Sequence, residues 1–323
     1  MFIEICIHKK KNCIMNDLLQ RLLVSIFIII SLTACNKKAG DNNPNNDSSR
    51  YHFNDTLALQ LENPKITEYR AFVQQLDSSD VASATKAVEQ FKTTFTNQSQ
   101  GLCDTAFVIY QHLMDTIELI LNEKLHNDTT DYSVIFSGEP IPKKIKNYLT
   151  LLQQNGFKFS SADGMIYIEQ YRPFAFQHLS FLLSEPMKSY LNEISMESAE
   201  GFAMDQSIII SPQQLVNRIL WYENFTKNNP AFVLLDNCNS YKKAYLSYLI
   251  GGYGKTNLYS NVGNKELSPY FTEAYEYLLK NYQESETATL ALPYYDALKQ
   301  KQTATARDLK KKMVIKGLIY NLE

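Results

Sequence analysis

From Ile66 onward, apolar side chains recur every three or four positions, and that spacing commits the chain to packed amphipathic helices. Ile66, Tyr69, Phe72, Val73 and Leu76 fall on one helical face, and Val81, Ala84, Val88, Phe91 and Phe95 do the same in the next segment. Asp77-Ser78-Ser79-Asp80 between them supplies turn and N-cap chemistry. Apolar periodicity continues from Leu102 to Leu121. A further helix covers Lys143 to Gln154 and stops at Asn155-Gly156. The pattern breaks once, at 157–169, where Ala162-Asp163-Gly164 separates two runs rich in aromatic and β-branched residues. That is a hairpin signal. Helices then resume at about Tyr171, and further ones open at Ser184-Glu185-Pro186, Ser211-Pro212-Gln213-Gln214 and Ser268-Pro269, with Ser as cap and Pro in the first turn. Ser207 to Ile210 looks extended, and the last helix is expected from Ala304 to Tyr320. The fold class is therefore mainly α. Helical hairpins pack as a bundle or short solenoid, with one small β-hairpin near 157–169.

The N-terminus reads differently. Lys9, Lys10, Lys11 and Arg21 precede the uncharged run LLVSIFIII, Leu22 to Ile30. That run is shorter than the roughly 20 residues a membrane span needs, and it ends in small residues as secretion signals do. The tetrapeptide Leu32-Thr33-Ala34-Cys35 resembles the lipobox of bacterial lipoproteins. An ordinary signal peptide, or a short anchor with a chance cysteine, is the alternative. The resemblance implies removal of residues 1–34, lipid on the Cys35 thiol, and a membrane partnership through that anchor. Asn36, where inner-membrane retention favours Asp, implies the outer membrane. Lys37 and Lys38, in place of an acidic export cluster, imply its periplasm-facing side. Met15 is a second possible start. Residues 36–50, NKKAGDNNPNNDSSR, hold nothing that packs and read as a tether spanning roughly 20 Å. The expected organisation is a signal at 1–34, lipidated Cys and tether at 35–55, and a helical body at 56–323. The hairpin divides that body into 56–156 and 170–323.

Charge excludes one function class. The 323 residues carry 32 Lys+Arg and 34 Asp+Glu, and without residues 1–34 the net charge is −4. Such a surface does not seek nucleic acid. Cys103 and Cys238 are the cysteines left after Cys35, and they are expected as two buried thiols or as one disulfide.

Trp221 to Phe232 (WYENFTKNNPAF) and Ala274 to Ser285 (AYEYLLKNYQES) share a pattern at an offset of 53. Glu223 matches Glu276, Phe225 matches Leu278, Lys227 matches Lys280, Asn228 matches Asn281, Tyr241 matches Tyr294, and Ala244 matches Ala297. Apolar helix, Lys/Asn-rich turn, second helix is similar to tetratricopeptide-like helical hairpins. The period is longer than usual, and Pro293 departs from the pattern. Two ordinary amphipathic helix pairs are the alternative.

Chemical motifs are sparse. Gly251-Gly252-Tyr253-Gly254-Lys255-Thr256 has Leu249 where a phosphate loop needs Gly, so it reads as a helix cap followed by a mobile loop. His52, His112, His126 and His178 show no ligand spacing, and no metal or cofactor is expected. Glu193, Glu197 and Glu200 share a helical face, with Asp205 close behind. They are expected as a solvated face, with an acid/base or cation site as the alternative. Tyr241, Tyr245, Tyr248, Tyr253 and Tyr259 form either a Tyr-rich core seam or a binding face for a protein or glycan. Lys310, Lys311, Lys312 and Lys316 read as a solvated face. These readings predict a non-catalytic envelope lipoprotein that binds or scaffolds another envelope protein or polymer. The alternatives are a periplasmic acid/base hydrolase using Glu193, Glu197, Asp205 or Glu223, and a small-ligand carrier.

Overall fold

The computed structural model describes residues 62–322 apart from 163, 262 and 264, all within one compact unit, 51–323. The lipobox Leu32-Thr33-Ala34-Cys35, the tether and Asp163 lie outside the described residues. The chain is mainly helical with small two-stranded antiparallel sheets.

Three helices open the described body: α1 (Pro64–Gln74), α2 (Ser83–Phe95) and the long α3 (Gln100–His126), on which both others pack. Tyr69 of α1 meets Phe91 and Phe95 of α2 edge-on, each with ring centres 5.5 Å apart. Asp77 and Asp80 supply the expected turn chemistry by accepting from the Ser79 and Ala82 amides at 2.8 and 3.0 Å. A short α4 (Val134–Ser137) leads to α5 (Lys143–Gln154) and the hairpin β1 (Phe157–Ala162)–β2 (Met165–Gln170). The hairpin sits between α5 on one side and α3 on the other.

The short α6 (Pro173–Leu179) precedes α7 (Glu185–Glu200). Then come α8 (Pro212–Asn228), α9 (Leu235–Gly251), α10 (Pro269–Asn281), α11 (Glu286–Lys299) and α12 (Thr303–Ile315). Ser211 and Gln214 form the expected capping box of α8. Successive helices pair: α8 with α9, α10 with α11, α11 with α12. The pairs are joined laterally, α8 to α10 and α9 to α11. The 53-residue offset therefore carries α8 onto α10 and α9 onto α11. Pro293 lies inside α11.

Three expectations need correction. Among the described residues there are three hairpins where one was expected. The added pairs are β3 (Ala203–Met204) with β4 (Ser207–Ile208), and β5 (Tyr259–Asn261) with β6 (Glu266–Leu267). Strands of two or three residues are too short to show alternation. The β3–β4 turn places both central residues in the left-handed region (Asp205 φ 50°, Gln206 φ 63°) without the Asn-Gly or Asp-Gly signature of such turns. The last helix also stops early, at Ile315. The chain then turns back so that Ile319 is buried and the Tyr320 amide donates to Ser247 Oγ of α9 at 2.8 Å.

The 251–256 segment was expected to be mobile, but it is pinned. Tyr253 and Thr256 pair with each other, the Lys255 amide donates to the Gln206 carbonyl at 2.7 Å, and the Ile208 amide donates to Thr256 Oγ1 at 2.8 Å. It clasps the β3–β4 hairpin. A Cβ at Gly254 would lie 2.2 Å from the Gln206 carbonyl oxygen, at φ +53°. Gly254→Ala is therefore expected to cost about 3 kcal/mol in urea unfolding. Gly138→Ala, at φ +79° with open space around it, is expected to cost about 1 kcal/mol.

Candidate functional site

Helix α7 begins on Ser184, whose hydroxyl accepts from the Met187 amide at 3.3 Å. Asp104 of α3 holds that cap in turn, accepting from the Ser184 amide at 3.0 Å and from its hydroxyl at 2.5 Å. The anchored helix carries Glu193, Glu197 and Glu200 on one stripe, but that stripe is not the expected solvated face. Glu193 is 7% and Glu197 9% exposed, while the Glu200 side chain is 42% exposed. The reason is a countercharge. Arg218 of α8, only 4% exposed, lies against the stripe.

Arg218 ties four elements together. Its Nη2 donates to Glu200 Oε2 at 2.8 Å and to the Gly201 carbonyl at 2.9 Å, and its Nη1 donates to the Tyr245 hydroxyl of α9 at 3.2 Å. The Tyr245 hydroxyl donates onward to Glu197 Oε2 at 2.7 Å. Burial pulls the Arg218 pKa down, but Tyr245, Glu200 and Glu197 outweigh it and the guanidinium stays charged. Burial raises Glu197, while the Tyr245 hydroxyl and Arg218 pull it back. Glu193 has no such donor. Burial and the neighbouring Glu197 push it up to about 7, against the opposing pull of Arg218. Asp205 does not join the group; it sits exposed in the β3–β4 turn.

Glu223 is elsewhere and otherwise engaged. It is buried in α8, and its carboxylate accepts from the Glu286 and Thr287 amides at 2.9 and 2.8 Å and from the Thr287 hydroxyl at 2.5 Å. It thereby closes the N-terminus of α11, where amides lack helical partners and negative charge is favoured.

Four of the five predicted tyrosines come together. Tyr241 stacks on Tyr222 at 5.3 Å. Tyr245, Tyr248 and Tyr253 surround Phe202 at 5.5, 5.0 and 5.3 Å. Tyr245 is buried and Tyr241 is 37% exposed, so the group is a core seam with an accessible rim. Tyr259 stands apart, beside Tyr275 and Tyr294.

Arg218, Tyr222 and Phe202 were not singled out as site residues. Arg218 had a legible signal, a lone charge among Leu215, Val216, Ile219 and Leu220. Phe202 had none.

Chemically, the network holds a proton on Glu193 near neutral pH beside a carboxylate already committed to Tyr245. Among the described residues no group of three or more His, Cys, Asp or Glu is placed to hold a metal ion. Cys103 and Cys238 are buried free thiols, their pKa values pushed up to about 11 and about 12 by burial. No described helix is long and apolar enough to cross a membrane. Compared with family models, curated proteins and solved structures, the chain matches none.

Two outcomes follow. The folded protein keeps a proton on Glu193 that the unfolded chain releases near 4.5, so stability falls as pH rises from about 4.5 to about 7 and is level above. Glu193→Gln removes that loss. Its stability relative to wild type should be higher at pH 8 than at pH 5 in urea melts, and an equal difference at both pH values would refute the assignment. Glu223→Ala orphans two helix amides and a hydroxyl and should cost about 3 kcal/mol by urea unfolding.

Proposed function

We propose that this chain is a bacterial envelope lipoprotein, anchored in the outer membrane by lipid on Cys35, whose helical body serves as a non-catalytic binding or scaffolding module. The observation that carries the reading is the coincidence of apolar signal core, small residues and cysteine in Leu22 to Cys35. The tether NKKAGDNNPNNDSSR separates that anchor from the body. The helix pairs α8–α9 and α10–α11, related by the sequence repeat, provide side-by-side helical hairpins of the kind tetratricopeptide-like scaffolds use. The partner would be another envelope protein or polymer, and the exposed edge of Tyr241 is a candidate contact.

The placement of the acids supports binding over hydrolysis. Glu223 is used up as a helix cap, Asp205 is remote in a turn, and Glu197 is held by Tyr245. Glu193 and Glu197 lie together but inside the α7–α8–α9 contact rather than at an open cleft.

Metabolic labelling with palmitate should mark the wild-type protein and leave Cys35→Ser unlabelled, with the variant moving from the membrane to the soluble fraction. Equal labelling or equal fractionation would sink the anchor. Crosslinking in living cells should then capture one recurring envelope partner.

A further inference from the structure

The last helix, α12, and the turns on either side of it differ in charge from the rest of the chain. Residues 299–316 hold seven of the 32 Lys+Arg (Lys299, Lys301, Arg307, Lys310, Lys311, Lys312 and Lys316) and one of the 34 Asp+Glu, Asp308. None of the ion pairs among the described residues includes any of them. Lys265 adds another cation at the start of α12, its Nζ donating to Thr303 Oγ1 at 3.0 Å. A chain whose net charge is −4 without residues 1–34 therefore has one strongly basic end.

Packing sorts these cations. Helix α12 lies on α11 and buries Ala306 and Met313, and the chain beyond it turns back to bury Ile319. Lys310 leans toward the end of α9, its Nζ 3.7 Å from where a Cβ on Gly251 would stand, and Lys299 lies over the Tyr295 ring at 5.2 Å. A helix C-terminus and a ring face both favour a cation, so these two are answered by the body. The others are not. Arg307, Lys311 and Ile315 follow at i, i+4 and i+8 on the exposed side of α12, with Lys312 and Lys316 exposed close by. Ile315 is 73% exposed, the most of any large apolar side chain among the described residues.

We propose that this outer face of α12 docks on an anionic phospholipid bilayer, its cations meeting headgroup phosphates and Ile315 entering the acyl boundary. The pairing of charge with an apolar tip selects the partner. Cations alone would suit any polyanion. An isoleucine held in water among Arg307, Lys311, Lys312 and Lys316 is matched by a surface where phosphate and hydrocarbon lie side by side, as they do in a lipid layer. The inference goes beyond the anchor on Cys35. An acyl chain retains the body at a membrane, whereas this face orients it, laying the end of the helical stack on the leaflet.

The test is vesicle flotation of residues 36–323, which lack Cys35 and contain the whole compact unit 51–323. Because that protein carries no lipid, the outcome is separate from the palmitate result. Vesicles of equimolar phosphatidylethanolamine and phosphatidylglycerol should carry the protein upward, and pure phosphatidylcholine vesicles should not. Salt at about 1 M, where the screening length is about 3 Å, should release it. The double variant Lys311→Glu/Lys312→Glu should lower partitioning roughly tenfold or more. Ile315→Ser leaves every charge in place and should lower it several-fold. Each of these substitutions changes an exposed side chain, and circular dichroism checks that the fold is kept. A polarity-sensitive fluorophore on Ile315→Cys, with the buried thiols of Cys103 and Cys238 unlabelled, should shift to the blue on the anionic vesicles. No binding to anionic vesicles, equal binding to neutral ones, unchanged partitioning of the double variant, or no blue shift would overturn the proposal. So would binding that Ile315→Ser leaves intact and soluble polyglutamate competes away, which is the behaviour of a site for an anionic polymer.

Discussion

A buried guanidinium has to be answered by the protein around it, and much of the second half of this chain is arranged by that requirement. Arg218 sits among Leu215, Val216, Ile219 and Leu220 of α8, where an unpaired charge would cost several kcal/mol. Its answers come from the end of α7 (Glu200), the backbone at the entry to the β3–β4 hairpin (Gly201) and the middle of α9 (Tyr245). Because Tyr245 also donates to Glu197, the two carboxylates of α7 and the two helices that follow share one polar contact. The hairpin is consequently fixed at both ends, by Arg218 at Gly201 and by the 251–256 loop at Gln206 and Ile208.

The same rule, that buried polar groups need partners, accounts for the placement of several buried tyrosines. Helix ends leave backbone groups unpaired, and in this body distant side chains satisfy several of them. Asp104 holds the cap of α7 from α3, and Glu223 closes α11 from α8. Tyr275 and Tyr294 donate to the Leu249 and Ile250 carbonyls in the last turn of α9, at 2.8 and 2.9 Å. A phenol carries a large apolar ring to the core and a donor to its edge, which is what a stack of short helices with many ends requires.

Positions matched by the internal repeat show how far such legibility reaches. Phe225 and Leu278 are both buried, as the shared apolar phase demands. Glu223 and Glu276 share the pattern but not the role. Glu223 is buried under the start of α11, while Glu276 is exposed. Tyr241 is part-exposed and stacked on Tyr222, while Tyr294 is buried with its hydroxyl on Ile250. Spacing assigns a face of a helix, but what meets that face depends on the neighbour. The i, i+4, i+7 spacing of Glu193, Glu197 and Glu200 correctly places them on one stripe, and nothing local to α7 tells that Arg218, 18 residues past Glu200, turns that stripe inward.

Helical class, the 157–170 hairpin, the Ser-Pro helix starts and the candidate lipid-bearing cysteine all follow from the sequence itself, because each rests on interactions between residues at most a few positions apart. The burial of the acidic stripe, the clasp on the β3–β4 hairpin and the capping role of Glu223 were decided by the tertiary structure. Each depends on which polar groups lose water together, and that is set by contacts between segments tens of residues apart.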